Sequence, residues 1–262
     1  MTAKTASPPA HSPGHAPTLA VAGAIATITL RRPDVANRLE LEDLATLRAH
    51  LRDVNARREV LVLRLCAEGR HFCAGFNIGN VADGNVGESF GALANELEEA
   101  RPVTIAAING GVYGGATDLA LACDFRVGVS HAQMFIPAAR LGLLFYQGGL
   151  RRYVSRLGVN VAKTLLLTGA PLDARPMLAC GFLTHLVEPE QLAQTVQTLA
   201  DQLAGMAPLA LLGMKKHLTR IAAGTFDAAD YAADLARADA SEDLSEGALA
   251  WQEKRAPRFK GR

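Results

Sequence analysis

Nothing in this sequence marks a redox pair, a zinc ribbon or a membrane anchor. Its four cysteines, Cys66, Cys73, Cys123 and Cys180, form no CxxC pair and lie in or beside apolar runs. That reads as small core residues in a reducing compartment, not as disulfide partners or metal ligands. No apolar run approaches the roughly 18 residues of a membrane span, and no signal-peptide core is found, so a cytoplasmic location without a membrane partner is expected. An excess of one charge is missing too: 27 basic residues stand against 26 acidic ones, a net charge of +1. Neither nucleic acid nor a membrane surface is therefore expected as main partner. The chain also lacks GxxxxGK[ST], and GxGxxG in strand–turn–helix context, which argues against a nucleotide phosphate loop.

What the chain does have is glycine between strands and helices. Residues 103–124 read VTIAAINGGVYGGATDLALACD. The opening VTIAAI suits a strand buried on both faces; Asn109-Gly110-Gly111 breaks it, and Gly114-Gly115 leads into a short helix over 116–122. A strand, a glycine turn and a helix N-terminus together aim free backbone N–H groups at one point, reinforced by the helix dipole. Such a point holds an anion, either a bound phosphate or a charge that develops during a reaction. One glycine turn alone fits many α/β proteins. A second buried strand, however, runs into a small-residue loop over 60–78, VLVLRLCAEGRHFCAGFNI.

The rest of the chain frames these two loops. With 49% of 262 residues apolar, it can bury a substantial core. Residues 1–18 carry Pro8, Pro9, Pro13 and Pro17 and are expected to be a disordered tail. The prolines also forbid the helix on which His11 and His15 would share a metal, and no metal site is expected. Residues 19–21 and 24–30 read as a hairpin around Ala22-Gly23. Asn37 is expected to cap a helix running to Arg58, with Leu41, Leu44, Leu47, Leu51 and Val54 on one face. A polar, glycine-rich segment over 79–91 precedes a helix over 89–100. Further on, 125–129, 133–136 and 183–187 read as extended, and 148–157, 161–168 and 176–180 as helical. From 189 only helices are expected, over 190–206, 208–223, 227–238 and 245–254.

The loops FCAGFNI and NGGVYGGATDLALACD resemble the paired signature of the crotonase (enoyl-CoA hydratase/isomerase) superfamily, F-x-A-G-x-D-[LI] and N-G-x-x-x-G-G-G-x-E-[LI]-x-x-x-C-D. The ending EKRAPRFKG over 253–261 resembles the family's E-K-R-x-P-x-F-x-G, so the likeness covers about 19–262. It implies an α/β, crotonase-like fold of the ClpP/crotonase type: stacked β-β-α turns over 19–188, then a C-terminal helical region over 189–262. It implies an enzyme acting on acyl-CoA thioesters, an enoyl-CoA hydratase-like lyase whose oxyanion hole, the backbone N–H groups of Phe76 and Gly115, stabilises a thioester enolate. Coenzyme A would enter as part of the substrate, with no separate cofactor, along Ala74, Gly75 and Gly114. Arg38, Phe259 and Lys260 would lie near its phosphates, Lys260 lent by a neighbouring subunit. The polar 79–91 segment would border the acyl group. A homotrimer, or a hexamer built as a dimer of trimers, is the implied assembly. The lysine-rich RNA-binding helix of some relatives has no counterpart after Asn37.

The acid/base residues depart from the hydratase pattern, in which two glutamates hold and activate water. The first falls on Asp118, one helical turn past Gly115 and one methylene shorter. The second falls on Ala138, in IPAARLG over 136–142, which transfers no proton. Arg140, Tyr146, Tyr113 and His71 are the nearby replacements in sequence. Tyr146, as a proton donor or carboxylate-orienting hydroxyl, and Arg140, as a partner for a carboxylate, join Asp118 as catalytic candidates; Arg140 can equally form an ion pair with Asp118. Three readings remain open on these residues: a hydratase-like lyase working with one carboxylate, a decarboxylase, isomerase or hydrolase of the same fold, and a non-catalytic acyl-CoA-binding protein.

Overall fold

The computed structural model describes residues 14–77 and 86–262, without the side chains of 86–88. The tail expected over 1–18 lies outside these residues up to position 13, as does most of the polar segment expected over 79–91. From His15 the chain is a strand, not a tail: β1 (His15–Ala22) pairs antiparallel with β2 (Ile25–Arg31). Pro17 sits in β1 because this is an edge strand, where a missing N–H breaks no interior ladder, and His50 Nε2 donates to its carbonyl at 3.0 Å. The register Ala22↔Ile25 leaves a two-residue turn in which Gly23 takes φ +58, the conformation such hairpins require.

From β2 the main sheet grows by parallel pairing through β3 (Val62–Ala67), β4 (Val103–Ile108), β6 (Phe125–Val129) and β9 (His185–Val187), in the order β1-β2-β3-β4-β6-β9. Every residue of β4 is buried, as its unbroken apolar run demands. Ala106 and Ile108 join the core under the helices on one face; Ile105 and Ala107 pack towards Val196 and Ala200 on the other. Those last two belong to α7 (Leu192–Ala204). A second, three-stranded sheet orders β5 (Val112–Tyr113), β7 (Gln133–Phe135) and β8 (Leu172–Asp173) as β5-β7-β8.

The first helix, α1 (Leu41–Ala56), is capped by Glu40 and not by Asn37. Asn37 is buried at φ +54, and its carboxamide is already used: Oδ1 accepts from Arg32 N–H, and Nδ2 donates to the carbonyls of Glu68 and His71. Glu40 and Asp43 instead exchange a reciprocal capping box. Leu44, Leu47, Leu51 and Val54 face the core as expected, whereas Leu41, in the first turn, is 47% exposed. The helices α2 (Val86–Glu98), α3 (Gly115–Ala122), α4 (Gln147–Leu157), α5 (Val159–Thr168) and α6 (Ala174–Ala179) complete the body. Beyond α7, the chain ends in α8 (Pro208–Ala223), α9 (Ala228–Asp239) and α10 (Glu242–Glu253). The last begins three residues before its expected start because Ser241 caps it, accepting from Leu244 N–H at 3.3 Å.

One buried ion pair docks α8. Lys215 reaches the Asp124 carboxylate at 2.9 Å and the Pro102 carbonyl at 2.5 Å, while Asp124 also accepts from the Thr104 N–H and hydroxyl. Asp124 is thus structural. All four cysteines are free thiols, and no helix among the described residues is long and apolar enough to cross a membrane.

Candidate active site

The two glycine loops meet. Residues 72–77 are stitched on one side to the chain before α1 and on the other to β5. Phe72 N–H donates to Gly111 O, Tyr113 N–H to Cys73 O, Ala74 N–H to Ala36 O and Leu39 N–H to Gly75 O, all at 2.8–2.9 Å. Gly75 takes φ +87, and a β-carbon there would stand 2.8 Å from Tyr113 O and 3.3 Å from Gly115 N. Only glycine allows this approach. Leu39 pairs with Phe76 in parallel fashion, using the Gly75 carbonyl and the Asn77 N–H; the Phe76 N–H between them therefore points to the opposite side. Gly115 is the first residue of α3, where a backbone N–H has no acceptor four residues back. Beside this junction, Cys73 is no nucleophile: burial pushes its thiol up to about 12.

One turn into α3, Asp118 is fully buried, and both its oxygens are engaged. Arg152 of α4 grips it in a fork, Nε to Oδ1 at 2.9 Å and Nη2 to Oδ2 at 3.0 Å. The Tyr146 hydroxyl donates to Oδ2 at 2.7 Å. Arg152 is in turn held by Glu98 at the end of α2, at 2.5 Å, and by Asn95 Oδ1 at 3.2 Å. Arg151 and Arg156 also bind Glu98. Burial alone would lower the Arg152 guanidinium, but its bonds to Asp118 and the charge of Glu98 outweigh that and hold it protonated. Burial, and then the Asp118 carboxylate, keep the Tyr146 phenol well above its usual range, so it is neutral.

Glycines clear the space in which the Tyr146 ring sits. A β-carbon at Gly91 of α2 would stand 2.9 Å from its Cδ2, and one at Gly149 of α4 would stand 2.9 Å from its Cε2. Phe145 stacks on it with ring centroids 4.7 Å apart.

Three expected participants lie elsewhere. Arg140 is on an exposed turn and donates to the Thr168 carbonyl at the end of α5, at 3.2 Å; the partner of Asp118 is Arg152, not Arg140. Lys260 pairs with Glu242 at 3.0 Å. The backbone N–H groups of Lys260 and Gly261 both donate to buried Asp243, which lays the Phe259–Lys260 ending against α10. Arg38 stays near the junction, ion-paired at 3.4 Å with Glu40, whose carboxylate also accepts from Asn77 Nδ2. Ala138 is partly buried and packs against the core. Tyr113 packs on Phe135, ring centroids 4.8 Å apart, and His71 lies 6.0 Å from Tyr113.

Arg152, Glu98 and Asn95 were not singled out in the sequence; the only local trace is the Arg151-Arg152 doublet in an otherwise amphipathic helix. Far from the junction, His217, Asp230 and Asp234 bring ligand atoms within 4.8 Å of one another. Lys216 already bridges both carboxylates, and Arg220 and Arg237 take one each. Those cations fill the role a metal would have.

Residues 20–262 match the model of the enoyl-CoA hydratase/isomerase family. The chain belongs to that family. A carnitinyl-CoA dehydratase of Proteus mirabilis is 32% identical over 261 residues, covering 93% of this chain and 98% of that protein. A short-chain-enoyl-CoA hydratase of Clostridium acetobutylicum is 31% identical over 205 residues, covering 76% and 78%. The solved structure of an enoyl-CoA hydratase from Bacillus anthracis superposes with a TM-score of 0.85 at 27% identity, covering 95% of this chain and 100% of that one. The crotonase-like fold is therefore the fold of this protein, with the parallel sheet, the small second sheet and the closing helices described above.

Proposed function

We propose that this member of the enoyl-CoA hydratase/isomerase family is an acyl-CoA lyase that adds water to, or removes it from, an enoyl thioester. The observation that carries this is the contact of Gly75 with the start of α3, where a β-carbon on Gly75 would stand 3.3 Å from Gly115 N; it supports reading the Phe76 and Gly115 N–H groups as a pair of donors. A thioester oxygen accepting both gains negative charge as the enolate forms, and each such donor contributes about 3 kcal/mol to the transition state. Ala74, Gly75 and Gly114 are backbone that the thioester arm would follow, and Arg38 is a cation for its phosphates. The names of the dehydratase and hydratase relatives support the direction of the chemistry.

With Ala138 in the second glutamate's position, the proton is handled by the Tyr146–Asp118 dyad. The phenol oxygen takes a proton from water while its own proton shifts to Asp118 Oδ2. The water oxygen bonds to the β-carbon, the π bond breaks, and the proton returns through Tyr146 to the α-carbon. Arg152 holds Asp118 in place, so that Asp118 acts through Tyr146 and not on substrate directly. Arg140 and Lys260 receive no role within one subunit. We further read the protein as a homotrimer or dimer of trimers, because α8, α9 and α10 carry large apolar side chains on an open surface, among them Leu218 at 67% and Trp251 at 87% exposure.

The test pairs calorimetric binding of crotonyl-CoA with loss of its conjugated-enoyl absorbance. Wild type should bind and turn over. Tyr146→Phe should keep affinity within a few-fold and lose about 10²-fold or more in kcat. Unchanged kcat in that variant would remove Tyr146 from the mechanism, and binding without turnover in wild type would remove hydration.

A further inference from the structure

The space beyond Gly115 and Asp118 is shaped by α2. Phe90, 3% exposed, lays its ring edge against Gly115: a β-carbon there would stand 2.8 Å from Phe90 Cε1 and 2.9 Å from Cζ. The same ring is tilted against that of Tyr146, with centroids 6.4 Å apart. Phe90, Tyr146 and Phe145 thus form a continuous aromatic wall from the start of α3 to the start of α4. The Phe90 ring is held between Gly115 on one side and the Tyr146 ring on the other, and is buried in the same core as Leu93, Leu97 and Leu119.

We propose that Phe90 sets acyl-chain length, its ring closing the channel beyond the β-carbon so that the site takes short-chain acyl groups. This rests on the acyl-thioester reading above. With the carbonyl oxygen at the Phe76 and Gly115 N–H groups and the reacting carbons beside Tyr146, the remaining acyl chain runs between Gly115 and Tyr146. Phe90 stands there. An aromatic ring packed on a helix has few conformations to escape into, so it acts as a stop and not as a flexible gate.

The experiment is calorimetric binding of butyryl-CoA, hexanoyl-CoA and octanoyl-CoA to wild type, Phe90→Ala and Phe90→Leu. These saturated thioesters have no double bond to hydrate, so the reading is independent of proton transfer. The coenzyme A part is common to all three, so affinity ratios isolate the acyl end. In an open apolar pocket each added methylene tightens binding several-fold. Wild type should instead weaken by about tenfold from butyryl-CoA to octanoyl-CoA, and Phe90→Ala should reverse the order by about tenfold or more. Phe90→Leu, which keeps most of the packing, should fall between them and carries the test if the alanine variant does not fold. Octanoyl-CoA binding wild type as tightly as butyryl-CoA, or an unchanged ratio in the folded variants, would overturn the proposal. Failure of wild type to bind any of the three would overturn the acyl-CoA reading itself, and this proposal with it.

Discussion

Tyr146 is a phenol kept neutral by its surroundings. Burial and the nearby Asp118 carboxylate both disfavour tyrosinate, and Tyr153, fully buried and bonded to Thr117 Oγ1 at 2.6 Å, is raised by burial too. Because the folded-state pKa of each exceeds the unfolded value of about 10, the native state favours the protonated form. The stability linked to these groups is fully present below about pH 10 and is lost as pH rises through their elevated folded values. An alkaline titration followed by tyrosinate absorbance should therefore show two phenols ionising late, together with unfolding, and Tyr146→Phe should remove one of them. A Tyr146 step at ordinary phenol pH, in folded protein, would mean that the phenol is neither buried nor faced by Asp118.

Among the elements, α2 and α4 do for the site what neither does alone. Each contributes a glycine, Gly91 and Gly149, to the seat of the Tyr146 ring, while Glu98 from α2 and Arg152 from α4 hold Asp118 from behind. Replacing Gly91 with alanine puts a methyl group 2.9 Å from the ring, closer than packed carbons tolerate. Gly91→Ala should keep the helical circular dichroism of wild type and lower kcat by roughly tenfold to a hundredfold through displacement of the hydroxyl. Wild-type kcat in that variant would mean that the ring adjusts without cost. At the same scale, Asn37 shows why a good capping residue need not cap: its side chain was already committed to a tight turn, and Glu40 took over.

For the whole molecule, the distribution of apolar surface is uneven. Large apolar side chains stand open at Leu144, at 93% exposure, at Leu167 of α5, at 70%, and along the C-terminal helices. Subunit association would bury them, and the expected molar mass by light scattering is three or six times 27.7 kDa. A single-chain mass at micromolar concentration would contradict the assembly reading. In such an assembly the Phe259–Lys260 ending, tied by Asp243 to its own α10, would reach coenzyme A only from a neighbouring subunit.

The sequence by itself determined the central buried strands, the two glycine loops and the family, because each rests on a local pattern; the start of β1 and the short strands β5 and β8 it did not. VTIAAI is apolar enough for burial on both faces, and FCAGFNI and NGGVYGGATDLALACD carry glycine where two backbones must touch. The resemblance also put Ala138 where the family's second glutamate would stand, since that needs only a position. What the tertiary structure alone decided is the environment of Asp118. Its partners come from two other helices: Arg152 of α4, 34 residues away, Tyr146 at the N-cap of α4, 28 residues away, and Glu98 of α2, acting through Arg152. A charge pair between helices leaves no period or motif in the chain, so the sequence offered Arg140, nearer to Asp118, and did not point to Arg152. Only packing α2, α3 and α4 together showed which arginine reaches the carboxylate, and that the Tyr146 hydroxyl donates to it.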